Sequence, residues 1–370
     1  MTPTPNASAL DGVCWMNQDR LLLVANPSPE HMGSHLYKAA RSMGVETAVH
    51  DVRLATEGPR WAVAASWRWD RRPLRLGRFG KSLIERCAQF QPRVVICSGI
   101  APVSRDVLLT IRKMGISVFN YLSDDPWNPG HHAHWFLESL RHYDCVFSPR
   151  RANLNDLRSH GCPAVSYLPF AYSEDAHLIR DGRPATEDSS SPDIVFVGGA
   201  DSDRIPFMTA LVQANFSLRL YGGYWERFPA IVRNAGGIIP PPEVQRVTTS
   251  ARIALCLVRR ANRDGHVMRS FEIPAMGGCM LAESTVEHRE LFGEEGQAVL
   301  YFQDIPELIR KARWLLDHPE ERQRLRAAVH RRITSGGHTY SDRLRSMLAY
   351  SALNNDSRVE RGHAGVGTDR

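Results

Sequence analysis

The 370-residue sequence has no long hydrophobic run and no export signal. A membrane span needs roughly 18 or more consecutive apolar residues, and no stretch of the chain reaches that length. The first residues, "MTPTPNASALDGVCWMNQDR", contain no basic segment followed by an apolar one, which argues against secretion. These absences predict a cytoplasmic protein that is not integral to a membrane.

The seven cysteines form no C-x-x-C pair. Cys97, Cys145 and Cys256 lie in apolar runs that are typical of strands. We therefore expect reduced, mostly buried thiols rather than a disulfide framework.

The charge is only modestly unbalanced, at +6 for the whole chain, and the excess is arginine rather than lysine. Such a balance suits anionic small molecules or a membrane surface as well as nucleic acid, so charge alone does not select a partner. The 43% apolar and 23% charged residues are typical of a globular protein, and the length predicts two domains.

Strand-like runs alternate with helical patterns through the first half of the chain. The strand-like runs are "RLLLVANPS", "ETAVHDV", "RVVICSG", "SVFNYLS" and "DCVFSP". This alternation predicts a parallel sheet with helices on both faces. We predict a flexible start over residues 1–17 and a doubly wound acceptor domain over residues 18–178.

A second series follows the polar segment "RDGRPATEDSSSPD", which predicts a linker over residues 179–192. Its expected strands are "DIVFVGG", "SLRLYGG", "AGGIIPP", "RIALCLV", "CMLAE" and "AVLYF". The predicted fold is α/β, with two doubly wound Rossmann-like domains facing a shared cleft. The donor domain is predicted over residues 193–337, a helix crossing back to the first domain over 338–353, and a disordered tail over 354–370.

Two glycines follow the first strand of the second series, in "IVFVGGADSDR". Gly198 and Gly199 would let the backbone approach a phosphate, and Arg204 near the next helix would add a cation. The pattern predicts a diphosphate site, although an ordinary strand-to-helix turn accounts for the glycines equally well.

A carboxylate interrupts an apolar stripe in "RDGHVMRSFEIPAMGGCMLAE". Read as a helix from about residue 267, this segment places Met268, Phe271, Ala275 and Met276 on one buried face that also includes Glu272. An unpaired buried carboxylate costs several kcal/mol. Glu272 must therefore be paired, or it lies at a helix end that opens on a polar ligand.

The spacing of Asp264 and Glu272 resembles the E-x7-E signature of GT-B glycosyltransferases, with Asp at the first position. The segments "MRSFEIPAMGG", "LYFQDIPELIRKARWLLDHPEERQRLR" and "GHTYSDRLRSML" resemble the CgeB-like (spore-maturation) branch of that superfamily. The likeness is clearest from Asp193 to Leu348, so it bears mainly on the donor side.

The resemblance implies a GT-B fold and a role for each residue of the motif. Glu272 would accept hydrogen bonds from the ribose hydroxyls of a nucleotide sugar, and the turn from Gly265 to Val267 would offer backbone N–H groups to the diphosphate. Asp264 would contact the transferred sugar. His266 would act at the donor phosphate or serve only as a turn residue. Arg269 would join the donor site, or pair with Glu272 on a solvated face.

One strand-like run of the first domain is followed by two adjacent aspartates, in "ISVFNYLSDDPWNPGHHAHWF". Asp124 and Asp125 are candidates to orient or deprotonate an acceptor hydroxyl, and Trp127 and His132 are candidates to bind the acceptor. A structural turn capped by Ser123 or Asp124 is the alternative. The nearby histidines lack a third ligand at suitable spacing, so no metal site is predicted.

Two further segments of the first domain have ambiguous patterns. Gly33, in "NPSPEHMGSH", precedes a helix where many GT-B enzymes have a glycine loop, although a plain helix-entry turn fits as well. The run Ser66 to Lys81 interleaves tryptophan with arginine. It suits an anionic membrane, an anionic acceptor or a solvated loop, and we predict no nucleic-acid partner.

The resemblance, taken with these patterns, implies a metal-independent, hexosyltransferase-like enzyme that moves a sugar from a nucleoside diphosphate sugar to an acceptor. The acceptor class stays open among glycans, lipid-linked molecules, proteins and small molecules. The resemblance implies retention of anomeric configuration, with no cofactor beyond the nucleotide-sugar co-substrate. A nucleotide-sugar epimerase and a non-catalytic nucleotide-sugar-binding protein remain alternatives. We expect the protein in the cytoplasm or at the inner face of the membrane.

Overall fold

The computed structural model describes residues 19–179 and 190–363, with side chains up to residue 352. The described residues form two compact units. The first runs to Pro169 and resumes at Tyr340, and the second spans Phe170–Thr339. The predicted flexible start and most of the predicted linker lie outside the described residues.

The first unit is built on a six-stranded, all-parallel sheet in the order β2-β1-β3-β4-β5-β6. Its strands are β1 (Arg20–Ala25), β2 (Glu46–Asp51), β3 (Val94–Ser98), β4 (Ser117–Tyr121), β5 (Cys145–Ser148) and β6 (Val165–Tyr167). The central strands are continuous apolar runs because helices cover both faces of a parallel sheet. Leu21, Leu22 and Leu23 are accordingly fully buried.

Seven helices belong to this unit within the described residues. They are α1 (Met32–Ser42), α2 (Arg60–Arg68), α3 (Leu76–Phe90), α4 (Arg105–Lys113), α5 (His134–Leu140), α6 (Arg151–Ser159) and α14 (Tyr340–His363). In α14, Tyr350 packs edge-on against Phe119 and Phe147, and Tyr340 stacks on His35. The last helix is therefore part of the first unit's core. It continues into the range predicted as a tail, of which residues 364–370 lie outside the described chain.

The second unit has a five-stranded, all-parallel sheet in the order β11-β10-β9-β7-β8. Its strands are β7 (Ile194–Val197), β8 (Leu218–Tyr221), β9 (Ile253–Cys256), β10 (Met280–Glu283) and β11 (Leu300–Phe302). Its helices are α7 (Glu174–His177), α8 (Ile205–Gln213), α9 (Pro241–Ser250), α10 (Arg269–Ala275), α11 (Val286–Phe292), α12 (Ile305–Asp317) and α13 (Pro319–Thr334).

The strand order reverses beside the first strand of each sheet, between β1 and β3 in one unit and between β7 and β9 in the other. Doubly wound sheets bind ligands in the crevice outside the carboxyl ends of their strands at this reversal. The predicted α/β architecture of two doubly wound units is confirmed.

The strand predicted at "AGGIIPP" is wrong. Ala235 makes only an isolated bridge to Leu220, and the following residues form an extended loop that enters α9. The prolines in this loop have no backbone N–H to donate to a ladder. Seven elements were not predicted, and each has ten residues or fewer: α2, α5, α6, α7, α9, α11 and β6.

The six described cysteines are free and buried, as predicted. Burial raises the pKa of Cys97 and Cys256 to about 12, so both thiols stay protonated at neutral pH. Within residues 19–179 and 190–363, no helix has the length and apolar character needed to cross a membrane.

Candidate functional site

The candidate donor residues of the second unit collect at the strand reversal between β7 and β9. Arg269, the first residue of α10, donates from Nε to the carbonyl of Val197, the last residue of β7, at 3.0 Å. Its Nη1 also pairs with Glu272 one turn further along the helix. A hydrogen bond therefore connects the start of α10 to the carboxyl end of β7.

Glu272 is 2% exposed and lies between two positively polarised groups. One is the Arg269 guanidinium, and the other is His177, whose Nε2 is 3.8 Å from Glu272 Oε1. His177 Nδ1 accepts a hydrogen bond from the Ser173 amide at 2.9 Å, so the ring proton is on Nε2 and points at the carboxylate. Glu272 is thus both paired and buried, and the pair with Arg269 does not lie on a solvated face.

A buried hydrogen-bond chain fixes the entry to α10. The Ser270 hydroxyl accepts from the Val267 amide at 3.0 Å, and its oxygen is 2.8 Å from His288 Nε2. His288 Nδ1 is 2.7 Å from the carbonyl of Glu283, which can only accept. Nδ1 therefore carries the ring proton, and Nε2 accepts from the serine. Burial lowers the pKa of His288 to about 4, so the imidazole is neutral at physiological pH.

The backbone donors around this turn divide into engaged and available groups. The Val267 N–H, which the resemblance assigns to the diphosphate, is taken by Ser270, and the helix begins two residues later than predicted. In the part of the chain that the structure describes, the N–H groups of Gly265, Met268 and Arg269 make no intramolecular hydrogen bond. These three groups are the ones able to meet an anion.

His266 is fully buried in the second unit. Its Nε2 accepts a hydrogen bond from the Phe170 amide at 3.2 Å, and its ring packs edge-on against Phe170 and Phe271. The structure thus places the imidazole in the core of the second unit, where it binds the chain that enters the unit at Phe170.

The neighbouring Asp264 and Gly265 are partly exposed. The Asp264 amide donates to the Arg259 carbonyl at 3.2 Å, and the Gly265 carbonyl accepts from Thr285 Oγ1 at 2.5 Å. A side chain at Gly265 would come within 2.0 Å of the Glu287 carboxyl group. The turn is therefore held from both sides, with its acidic side chain near the surface.

Arg204 supports the first glycine turn from behind. Its side chain is only 8% exposed, Nη1 donates to the Gly199 carbonyl at 2.8 Å, and Nε is 3.4 Å from Asp201 Oδ2. Burial lowers the pKa of this guanidinium below its ordinary value. Arg259, which the sequence reasoning missed, lies 3.8 Å from the same carboxylate, but its side chain is 38% exposed. Arg259 is therefore the more accessible cation of this cluster.

The glycine turns after β7 and β8 pack backbone against backbone. The Gly198 carbonyl accepts from Trp225 Nε1 at 3.0 Å. Gly222 has a φ of 132°, and a Cβ there would lie 2.3 Å from the Gly198 oxygen. Only glycine fits this approach. Gly222 was not among the sequence candidates, although the second Gly-Gly in "LYGG" was its signal.

The acidic pair of the first unit separates into two environments. Asp125 is 1% exposed, and its Oδ1 accepts from the Trp127 amide at 3.0 Å and from Asn153 Nδ2 at 2.9 Å. It caps the turn, a role that the sequence reasoning offered to Ser123 or Asp124. Asp124 is partly exposed, accepts from the Ser123 hydroxyl at 3.1 Å and lies 3.7 Å from His131.

The other acceptor candidates lie on two elements of the first unit. Trp127 and His132 share the loop that follows Asp125, and the carbonyl of His132 accepts from Arg71 at 3.1 Å. Gly33 lies at the start of α1, where a Cβ would come 2.5 Å from Asn26 O just beyond β1. No group of three or more His, Cys, Asp or Glu residues in the described ranges is placed to hold a metal ion.

Residues 204–349 match the family described as glycosyl transferase-like. No curated protein matches the sequence. Three solved structures illustrate the similarity. Sucrose-phosphate synthase from Thermosynechococcus elongatus has a TM-score of 0.68 at 12% identity, covering 92% of this chain and 100% of that one. A glycosyltransferase from Rickettsia africae has a TM-score of 0.59 at 10% identity, covering 91% and 98%. UDP-GlcNAc 2-epimerase from Neisseria meningitidis, bound to UDP-GlcNAc, has a TM-score of 0.52 at 12% identity, covering 91% and 100%.

These comparisons agree with the fold predicted from the sequence. At such low identity the structural similarity bears on the fold alone, and the chain has the two-domain GT-B fold. The matched segment begins at Arg204 and includes the whole turn from Asp264 to Glu272.

Proposed function

We propose that the protein is a glycosyltransferase of the CgeB-like group that takes its sugar from a nucleoside diphosphate sugar. The observation that carries the proposal is the buried Glu272 at the reversal of the second sheet, held between Arg269 and His177. It lies inside the segment that matches the glycosyl transferase-like family.

The contacts around Glu272 support a ribose-binding role. A carboxylate has about four acceptor positions, and two neighbouring carboxylate oxygens suit the vicinal hydroxyl donors of a ribose. The contacts with Arg269 and His177 both stabilise a negative carboxylate at this buried position. We therefore assign the ribose to Glu272.

The diphosphate is assigned to the donors beside this carboxylate. The available N–H groups of Gly265, Met268 and Arg269 lie in the same turn, and Arg259 is an accessible cation near it. Arg204 acts indirectly, because its guanidinium is buried against the Gly199 carbonyl. Catalysis then rests on stabilising charge on the leaving diphosphate. We propose retention and metal independence on the strength of the motif likeness.

The acceptor is proposed to bind the first unit near Asp124. Asp125 accepts hydrogen bonds from the Trp127 amide and from Asn153, whereas Asp124 is partly exposed in the loop after β4. A carboxylate there can orient or deprotonate an incoming hydroxyl. Asp264, partly exposed beside the turn, is the proposed contact of the transferred sugar.

The test is incubation with UDP, GDP and dTDP sugars, with and without a pooled acceptor extract, while free nucleotide and isomerised donor are quantified by NMR. We expect one donor to release its nucleoside diphosphate, slowly alone and faster with the extract. An isomerised nucleotide sugar would identify an epimerase, an activity that the GT-B fold also accommodates. A donor that binds without any turnover would identify a non-catalytic binding protein.

A further inference from the structure

One surface of the first unit combines exposed tryptophan with unpaired arginine. We define the aromatic-basic surface as the exposed side chains of residues 60–81, on α2, the turn before α3 and the first residues of α3. Trp61, Trp67 and Trp69 are 77%, 50% and 81% exposed. Helix α2 contains no buried residue at all. Three exposed indoles so close together form an apolar patch that needs a partner.

The helical geometry of α2 gathers these side chains on one side. Ala62, Val63 and Ser66 are half-buried and share the side that faces the protein. At 100° per residue, Trp61 falls on the opposite arc together with the arginines at both ends of the helix, and Trp67 lies at the edge of that arc beside Val63. Aromatic rings and guanidinium groups therefore emerge on the same side.

The charge of this region is strongly positive. Residues 53–81 contain eight basic and two acidic side chains, so their net charge of +6 equals that of the whole chain. Both acidic groups are occupied within the unit, since Glu57 pairs with Arg75 and Asp70 binds His134. In the described part of the chain, five exposed basic side chains of the surface have no acidic partner: Arg60, Arg68, Arg72, Arg78 and Lys81.

The surface is rigidly attached to the candidate acceptor loop. Asp70 accepts from the amides of His134 and Trp135 at 2.7 and 3.2 Å, and Arg71 donates to the carbonyls of Gly130 and His132 at 2.9 and 3.1 Å. Asp70 and Arg71 both have positive φ, at 72° and 46°. Such a turn persists only where the surrounding contacts over-determine it.

We propose that the aromatic-basic surface docks on an anionic lipid bilayer. Indole rings favour the boundary between headgroups and acyl chains, and arginine is attracted to the negative potential of anionic lipids. The unpaired positive charge beside the indoles is complementary to the negative charge of the lipid headgroups. Single-stranded nucleic acid fits less well, because it is bound in grooves that track its backbone. Docking would hold the candidate acceptor loop, fixed by Asp70 and Arg71, near the membrane.

The experiment is flotation of the full-length protein with vesicles of phosphatidylcholine alone or enriched in phosphatidylglycerol. We expect the wild type to float with the anionic vesicles, less at high salt, and to remain unbound with neutral ones. The variant with Arg60, Arg68 and Arg72 changed to Gln should partition about a hundredfold more weakly, from about 1 kcal/mol per basic residue. The matched control changes the exposed Arg219, Arg233 and Arg331 of the second unit to Gln and should bind like the wild type.

A second variant, with Trp61, Trp67 and Trp69 changed to Ala, tests the apolar contribution independently of charge. It should lose anionic-vesicle binding while its circular dichroism spectrum stays unchanged. Equal flotation of wild type and both surface variants would overturn the proposal. So would a wild type that fails to float, or one that binds heparin but not vesicles. None of these readouts depends on transferase activity, so the donor site is tested separately.

Discussion

His288 should make the stability of the second unit depend on pH, and replacing it with Gln should remove that dependence. In the folded protein, burial lowers the pKa of His288 to about 4. Nδ1 donates to the Glu283 carbonyl and Nε2 accepts from Ser270, so protonation of the ring would break the second hydrogen bond. In the unfolded chain the same imidazole titrates near its ordinary value of about 6.5.

The sign and size of the effect follow from these two values. Because the folded pKa is the lower one, the unfolded state binds more protons between about pH 4 and 6.5. The stabilisation is complete above about pH 6.5 and is lost as the pH falls towards 4. Lowering the pH from about 7.5 to about 5.5 should remove about 1 kcal/mol of the free energy of unfolding through this residue alone.

The assay is guanidinium unfolding of the wild type and His288→Gln at both pH values. The wild type should be more stable than His288→Gln at the higher pH. The difference between their free energies of unfolding should be smaller by about 1 kcal/mol at the lower pH. Comparing the two proteins cancels the other titrating groups. The control is the exposed His318 changed to Gln. The difference in free energy of unfolding between the wild type and this control should be the same at both pH values. If the free energies of unfolding of the wild type and His288→Gln differ by the same amount at both pH values, the assignment of a buried neutral imidazole is refuted.

Four further substitutions test the remaining geometry. Gly222→Ala should destabilise the protein by about 1–3 kcal/mol in chemical unfolding, because its φ is 132° and a Cβ would lie 2.3 Å from the Gly198 oxygen; unchanged stability would contradict the close approach. Asp125→Ala should lower the free energy of unfolding by about 1–3 kcal/mol. Asp124→Ala should instead lower turnover and leave the melting temperature unchanged. The reverse pattern would exchange the roles of the two residues. Arg259→Ala should weaken nucleoside diphosphate binding without loss of stability, as calorimetry and thermal melting of one preparation can show.

The fold was predictable because its signal is local. In a parallel sheet covered on both faces, strands such as "RLLLVA" are continuous apolar runs, and the intervening helices have a different period. The segment "AGGIIPP" has a similar apolar content, but its prolines prevent ladder pairing. Helix α2 escaped prediction because it buries no residue, which leaves no apolar period to detect.

The candidate site was only partly predictable, because its partners are distant in the sequence. The apolar stripe showed that Glu272 needed a partner, and the nearby Arg269 could be proposed from spacing. The second partner, His177, precedes Glu272 by 95 positions, so no local pattern could reveal it. The same applies to His288, which reaches Ser270 from another helix. Which arginine is accessible depends on packing, and this distinguishes Arg259 from Arg204.

The measurement that tests the central claim most directly is calorimetric titration of the protein with nucleoside diphosphates and their sugars, in wild type and Glu272→Gln. The matched control is Asp193→Asn, which changes a carboxylate paired with Arg252 at the opposite end of β7. We predict saturable binding of one nucleotide by the wild type and the control, weakened by about 1.5–3 kcal/mol in folded Glu272→Gln. Equal affinity in all three proteins, or no binding by a folded wild type, would contradict the assignment of a donor site to the second unit.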